Sequence, residues 1–126
     1  MDDLSGNEGT AGQLIQLDRA VALARVGGSM ELLQEVARLF LDECPRVVTE
    51  LRQALEQHDA SRVEYVAHSL KGSTSSIGAQ AAYEAARELE IIGRSRDLSH
   101  AQSAFLVLED VLTRMKPDLE SLCVSV

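Results

Sequence analysis

His68 is the residue around which chemistry can be organised. It lies in Ala67-His-Ser-Leu-Lys-Gly-Ser, inside a run with apolar residues at helical spacing. At about 100° per residue, with Val63 at zero, Val66, Ala67, Leu70 and Ile77 gather within roughly 60° of one direction. His68 falls near 140°, with Gly72 and Ser75 within about 40° of it and Lys71 about 60° to its side. The imidazole therefore faces water, beside a position with no side chain and one turn from an ammonium. Ser73, Thr74, Ser75 and Ser76 follow and keep the surface low. Gly72 is the informative glycine, because the other seven of the eight fall in expected loops or helix ends. A glycine inside a helix costs about 1 kcal/mol relative to alanine, so something must come close to the backbone there.

These types at this spacing suit a phosphoryl acceptor. Imidazole is partly neutral near pH 7, so its lone pair attacks phosphorus without a separate base. Lys71 beside it lowers the cost of the added negative charge. Gly72 opens a path to a second protein, and phosphoryl transfer asks for little more than access, in-line geometry and charge stabilisation. The plain alternative is a surface histidine with a glycine tolerated nearby.

Other reactive side chains carry less. His58 and His100 flank expected helix ends and read as surface residues. With His68 they have no metal-ligand spacing. Cys44 lies on an apolar stripe and reads as a core residue, whereas Cys123 is near the terminus and is expected to be exposed. An antiparallel neighbour of the His68 helix would bring residues around 86–91 level with it, so Arg87, Glu90 and Arg94 come into range. Arg94 is a candidate phosphoryl contact, and Glu90 nearby would oppose it. Which flank faces His68 stays open, and so does the choice between Arg94 and Arg87. Ser75 is a further candidate for contact with a phosphate or a partner.

The elements that must position these residues are helical throughout. Residues 1–12 contain three glycines and almost no apolar side chains, which predicts a disordered leader before a folded unit over 13–126. A short helix is expected over about 16–26, ended by Gly27–Gly28. Ser29 caps a long helix whose stripe runs through Leu33, Val36, Phe40, Cys44, Val47, Leu51 and Leu55. Pro45 inside it should kink or split it. The His68 helix starts at Asp59 or Ser61, where Ser61-Arg-Val-Glu64 has capping-box spacing, and Gly78 breaks it. A helix over 79–93 follows, then a turn from Gly93 to Asp97. Ser99-His-Ala-Gln102 is a second capping box, opening a helix that Pro117 kinks or ends. The fold class is all-α: an up-down-up-down four-helix bundle with a short N-terminal capping helix.

Composition narrows the partners. The chain has 126 residues, 45% hydrophobic and 25% charged, which is one soluble globular domain. Net charge is −8, and with no Lys/Arg cluster this argues against nucleic acid. Two Tyr, two Phe and no Trp are too few for a base-stacking platform. No apolar run approaches the ~20 residues that span a bilayer. The acidic start is no signal peptide, and two distant cysteines suit a reducing cytoplasm.

Ala67 to Ala79, AHSLKGSTSSIGA, resembles the motif of histidine-containing phosphotransfer (HPt) domains, H-x-x-K-G followed by small residues and G-A. ALARVGGSMELLQEVARLFLDECPRVVTELRQAL is similar to the first half of that family, and LEIIGRSRDL to its later turn region. The resemblance implies that His68 is the phosphorylated residue, with Lys71 and Gly72 as the motif's lysine and glycine, on a four-helix bundle. It implies a monomeric carrier in a two-component phosphorelay, which takes the group from the receiver domain of a hybrid histidine kinase and gives it to a response regulator. It implies no cofactor in this chain, because Mg²⁺ and the acidic pocket belong to the receiver. The sequence has no GxxxxGK[ST] or GxGxxG loop, which fits a carrier that neither binds ATP nor phosphorylates itself. Two alternatives come from other classes. One is a non-catalytic helical bundle that binds a signalling partner. The other is a kinase-like dimerisation domain, which would need an exposed apolar seam.

Overall fold

The computed structural model describes residues 17–124, so the leader expected over 1–12 lies outside the described residues. Five helices follow one another: α1 (Arg19–Arg25), α2 (Met30–Glu56), α3 (Ala60–Ser76), α4 (Gln80–Ser95) and α5 (Ala101–Val124). Helices α2 to α5 form a closed ring in which each packs on the next and α5 returns to α2. That is the expected up-down-up-down bundle. The core runs the length of it through Leu33, Leu51, Val63, Leu89, Leu108 and Met115, all fully buried.

Local chemistry sets the helix ends. Asp18 caps α1 by accepting from the backbone N–H of Ala20 and Val21. Ser29 Oγ caps α2 at 3.1 Å from the Leu32 N–H, as the sequence predicts. Asp59, not Ser61, caps α3, with its carboxylate 3.1 Å from the Arg62 N–H. Ser61 sits in the first turn instead and accepts from Arg96 Nη1 at 2.6 Å. Helix α3 stops where Gly78 takes φ +71°. A Cβ on Gly78 would stand 2.8 Å from Val21 Cγ1, so α1 lies directly over the α3–α4 turn. Arg19 also reaches Ser121 Oγ on α5 at 2.7 Å. The short helix is thus a lid on one end of the bundle.

Some sequence expectations change. Of the two outcomes expected at each proline, a kink or a break, the break does not occur: Pro45 lies inside one continuous α2 and Pro117 inside one continuous α5. Each proline removes a single backbone hydrogen bond, and buried neighbours on both sides (Phe40 and Val47; Leu112, Met115 and Leu119) hold the helix together across the gap. Gly93 does not start a turn. It is a buried residue within α4, which runs on to Ser95 and ends at Arg96 with φ +69°. For α5, the first helical residue is Ala101, and the Ser99 N–H turns back to the Asp97 carboxylate at 3.1 Å. Among the described residues, no helix is long and apolar enough to cross a membrane.

Candidate functional site

Helices α3 and α4 make the most extensive pairing in the bundle, and the candidate site lies on its outer edge. His68 projects from the middle of α3 with its side chain 65% exposed. Its Nδ1 lies 2.8 Å from Oε2 of Glu90 on α4. Glu90 itself is only 3% exposed. Oε1 of the same carboxylate takes Lys71 Nζ at 2.8 Å, and Oε2 also takes Arg94 Nη2 at 2.9 Å. Arg94 Nε then bridges to Glu64 Oε2 at 3.1 Å. One buried carboxylate therefore gathers an imidazole, an ammonium and a guanidinium.

The charge state follows from this arrangement. The hydrogen bond from Lys71 holds the Glu90 carboxyl below its ordinary value, with His68 adding to it and burial working against it. The hydrogen bond to Glu64 and the charge of Glu90 raise Arg94 above the usual guanidinium value. An ionised carboxylate only accepts, so the proton between Glu90 and His68 belongs to Nδ1. The neutral ring is then the Nδ1–H tautomer, with the Nε2 lone pair pointing away from the anchor. Among the described residues, Nε2 has no hydrogen-bond partner.

Access matches the open nitrogen. Gly72, one turn along α3, is exposed, and a Cβ placed there would meet no heavy atom within 4 Å. Among the described residues, nothing packs where its side chain would be. Tyr65, 70% exposed, stands one turn to the other side of His68, and a shallow concavity between them is lined by Ser61, Glu64, Glu90 and Arg94.

The candidate residues divide accordingly. His68, Lys71, Gly72 and Arg94 come together on one edge. Arg87 is exposed on α4 and joins none of these contacts, so the Arg94 flank is the one facing His68. Ser75 does not join the cluster: its hydroxyl accepts from Arg25 Nη1 at 3.4 Å, near the lid end of the bundle. Glu90 takes a different part from the one its charge suggested, since it holds the ring and both cations together. The signal was a glutamate at the edge of the α4 apolar stripe, beside Leu89 and four residues after Ala86. Glu64 was legible only as a cap partner. His58 and His100 are exposed and take part in none of the cluster's ion pairs, and among the described residues no three His, Cys, Asp or Glu side chains are placed to hold a metal. Cys44 and Cys123 are both half-buried free thiols, so Cys123 is less open than expected. Burial, with some help from Glu43, pushes the Cys44 thiol up to about 11.

Known proteins share parts of this sequence and its fold. The family model described as the Hpt domain matches residues 35–117. Histidine-containing phosphotransfer protein 2 of Oryza sativa subsp. japonica is 36% identical over 67 residues, 52% of this chain and 45% of the relative. Histidine-containing phosphotransfer protein 2 of Arabidopsis thaliana is 38% identical over 56 residues, 42% of this chain and 36% of the relative. The chain thus spans less than half the length of these curated relatives. Among solved structures, histidine-containing phosphotransfer protein B from Pseudomonas aeruginosa PAO1 superposes with a TM-score of 0.79 at 22% identity, covering 85% of this chain and 93% of that one. The HPT domain of a sensor hybrid histidine kinase from Shewanella gives 0.81 at 21% identity, covering 90% and 97%. Those two likenesses speak to the fold. With two-thirds of its length matched by the family model and His68, Lys71 and Gly72 lying inside the match, the chain belongs to the Hpt domain family.

Proposed function

We propose that this chain carries a phosphoryl group on Nε2 of His68, taking it from the aspartyl phosphate of one receiver domain and passing it to the aspartate of another. The observation that carries the reading is the pairing of an anchored Nδ1 with an exposed Nε2. In the forward step, the Nε2 lone pair forms the N–P bond while the P–O bond to the aspartate breaks, and the electron pair leaves with the carboxylate. The ring then holds both the Nδ1 proton and the phosphoryl group and is positively charged. The Glu90 carboxylate faces that charge as it develops, which favours the transition state. Onward transfer is the reverse, with the neutral ring as leaving group. No proton has to move in either direction.

Lys71 and Arg94 sit at the Glu90 carboxylate beneath the ring, near enough to share their charge with an incoming phosphoryl group. Ser75 faces Arg25 and takes no part in this reading. In it the chain is a carrier, chemically altered in each half-cycle, rather than an autokinase or an ATP-binding enzyme. The divalent cation and the acidic pocket belong to the receiver domains of the hybrid kinase and response regulator. The chain acts as a monomer in the cytoplasm.

The test is to mix the purified protein with receiver domains charged with labelled phosphate, beside a His68→Gln copy. The expected result is an acid-labile, base-stable label on the wild type alone. Label on both proteins, or on neither across a wide receiver panel, would overturn the reading.

A further inference from the structure

Beside the site α4 comes into backbone contact with α3, and one residue, Gly93, permits that approach. Gly93, one turn beyond Glu90, is fully enclosed. A Cβ on it would stand 2.6 Å from the Glu64 backbone nitrogen, 2.9 Å from the Glu64 Cα and 3.0 Å from the Ala60 carbonyl oxygen. All three are main-chain atoms of α3, so no side-chain rotation would relieve the overlap. Alanine is the better helix former, and inside a sixteen-residue helix it would be the ordinary choice. The glycine is therefore explained by interhelical contact rather than by the helix it belongs to.

The register gives this contact a consequence. The two helices are antiparallel, with Gly93 against Glu64. One turn back on α4 and one turn on along α3, Glu90 meets His68. Arg94, next to Gly93, spans the same crossing through Glu64 and Glu90. Glu90 is buried, and its two oxygens hold His68 Nδ1 and Lys71 Nζ of α3 at 2.8 Å each, so a shift of α4 away from α3 would lengthen both contacts together.

We propose that Gly93 is a positioning residue for His68: by letting α4 close on the α3 backbone at Glu64, it brings the Glu90 carboxylate to Nδ1 and keeps the ring in the tautomer that leaves Nε2 open. Gly93 touches neither the ring nor an incoming phosphoryl group. It acts through the spacing of two helices.

The reactivity side of this inference rests on the carrier reading, but its primary test does not. Ring ¹⁵N resonances of His68, recorded at about pH 8, above the ordinary imidazole range, report the tautomer with no partner present. The wild type should show Nδ1–H with a bare Nε2. Gly93→Ala should show a mixture of both tautomers. Glu90→Asp, which leaves Gly93 in place and shortens the reach by one methylene, should give the same mixture; it also carries the test if Gly93→Ala does not fold. Leu33→Ala, a core truncation at the lid end, lowers stability and should leave the ring as in the wild type. With a charged receiver, the two site variants should transfer roughly 10- to 100-fold more slowly. A wild-type ring spectrum in folded Gly93→Ala, or in Glu90→Asp, overturns the inference. So does a mixed spectrum in Leu33→Ala. If the tautomers behave as stated and no protein accepts phosphate, the positioning stands and the carrier reading falls.

Discussion

Glu90 and His68 belong to different helices, yet the buried carboxylate of one meets Nδ1 of the other at 2.8 Å, while the rest of the imidazole stands in water. The ring is held by its inner nitrogen and presented by its outer one. A buried carboxylate without partners would be strongly destabilising, and here three donors from Lys71, His68 and Arg94 offset its loss of water. The same contacts that settle Glu90 in the bundle orient the ring.

That cluster makes stability depend on acid. The Glu90 carboxyl sits below its ordinary 4.5 in the folded chain, so the unfolded chain binds its proton first as pH falls. Its stabilising contribution is complete above about pH 5 and is lost as pH drops through the lowered native value. Urea unfolding from about pH 6 to about pH 3 should show the wild type losing stability more steeply than Glu90→Gln. Parallel curves would mean the carboxylate adds nothing.

Gly72 should separate folding from access. Its position is open, so Gly72→Ala gains helix propensity without a clash and should stabilise the protein by about 1 kcal/mol. Gly72→Leu should also melt no lower than the wild type, yet accept phosphate from a receiver at least roughly tenfold more slowly, because the added bulk lies in the partner's path. Transfer at the wild-type rate in Gly72→Leu would contradict the access argument.

At the other end of the bundle, Gly78 combines φ +71° with a contact that a Cβ would bring to 2.8 Å from Val21. Gly78→Ala should cost about 1–2 kcal/mol from the left-handed backbone alone, with more from the displaced lid. Thermal melts and protease cleavage near α1 would measure it. The His68 ring resonances should not move, since the glutamate that anchors them is three turns away on α4.

Cys44 should be slow to react. With its thiol pushed up to about 11, the thiolate fraction near neutral pH is roughly two orders of magnitude below that of a free cysteine. Iodoacetamide labelling of a Cys123→Ser variant, followed by mass spectrometry, should show Cys44 modified only as the protein unfolds. Rapid labelling of the folded protein would refute the burial argument.

Much of this was legible in the sequence, for identifiable reasons. The apolar stripe of α3 placed His68 and Gly72 outward, because a helical wheel reports the direction of each side chain within its own helix. It cannot report which flank of the next helix lies opposite, so the choice between Arg87 and Arg94 depends on the α3–α4 pairing. The sequence places Glu90 near Arg94, and the two are paired, but it does not show that Glu90 is buried and also accepts from His68 and Lys71, because that depends on the helix opposite. Gly93 reads as the start of a turn, since glycine often marks a helix end. Its value lies in a contact thirty residues away in sequence, which no local pattern encodes. Pro45 and Pro117 are the opposite case, where strong local signals yield to packing on either side.

His68 and Gly72 share one exposed face of α3. In the carrier reading, donor and acceptor must therefore take turns at the same doorway. The throughput of such a relay then depends on how quickly the first visitor leaves, so tight holding would slow it. In that reading a net charge of −8 slows the arrival of an acidic visitor rather than hastening its departure, because like charge acts on encounter. The doorway is then kept clear by infrequent arrival, and added salt would make it busier.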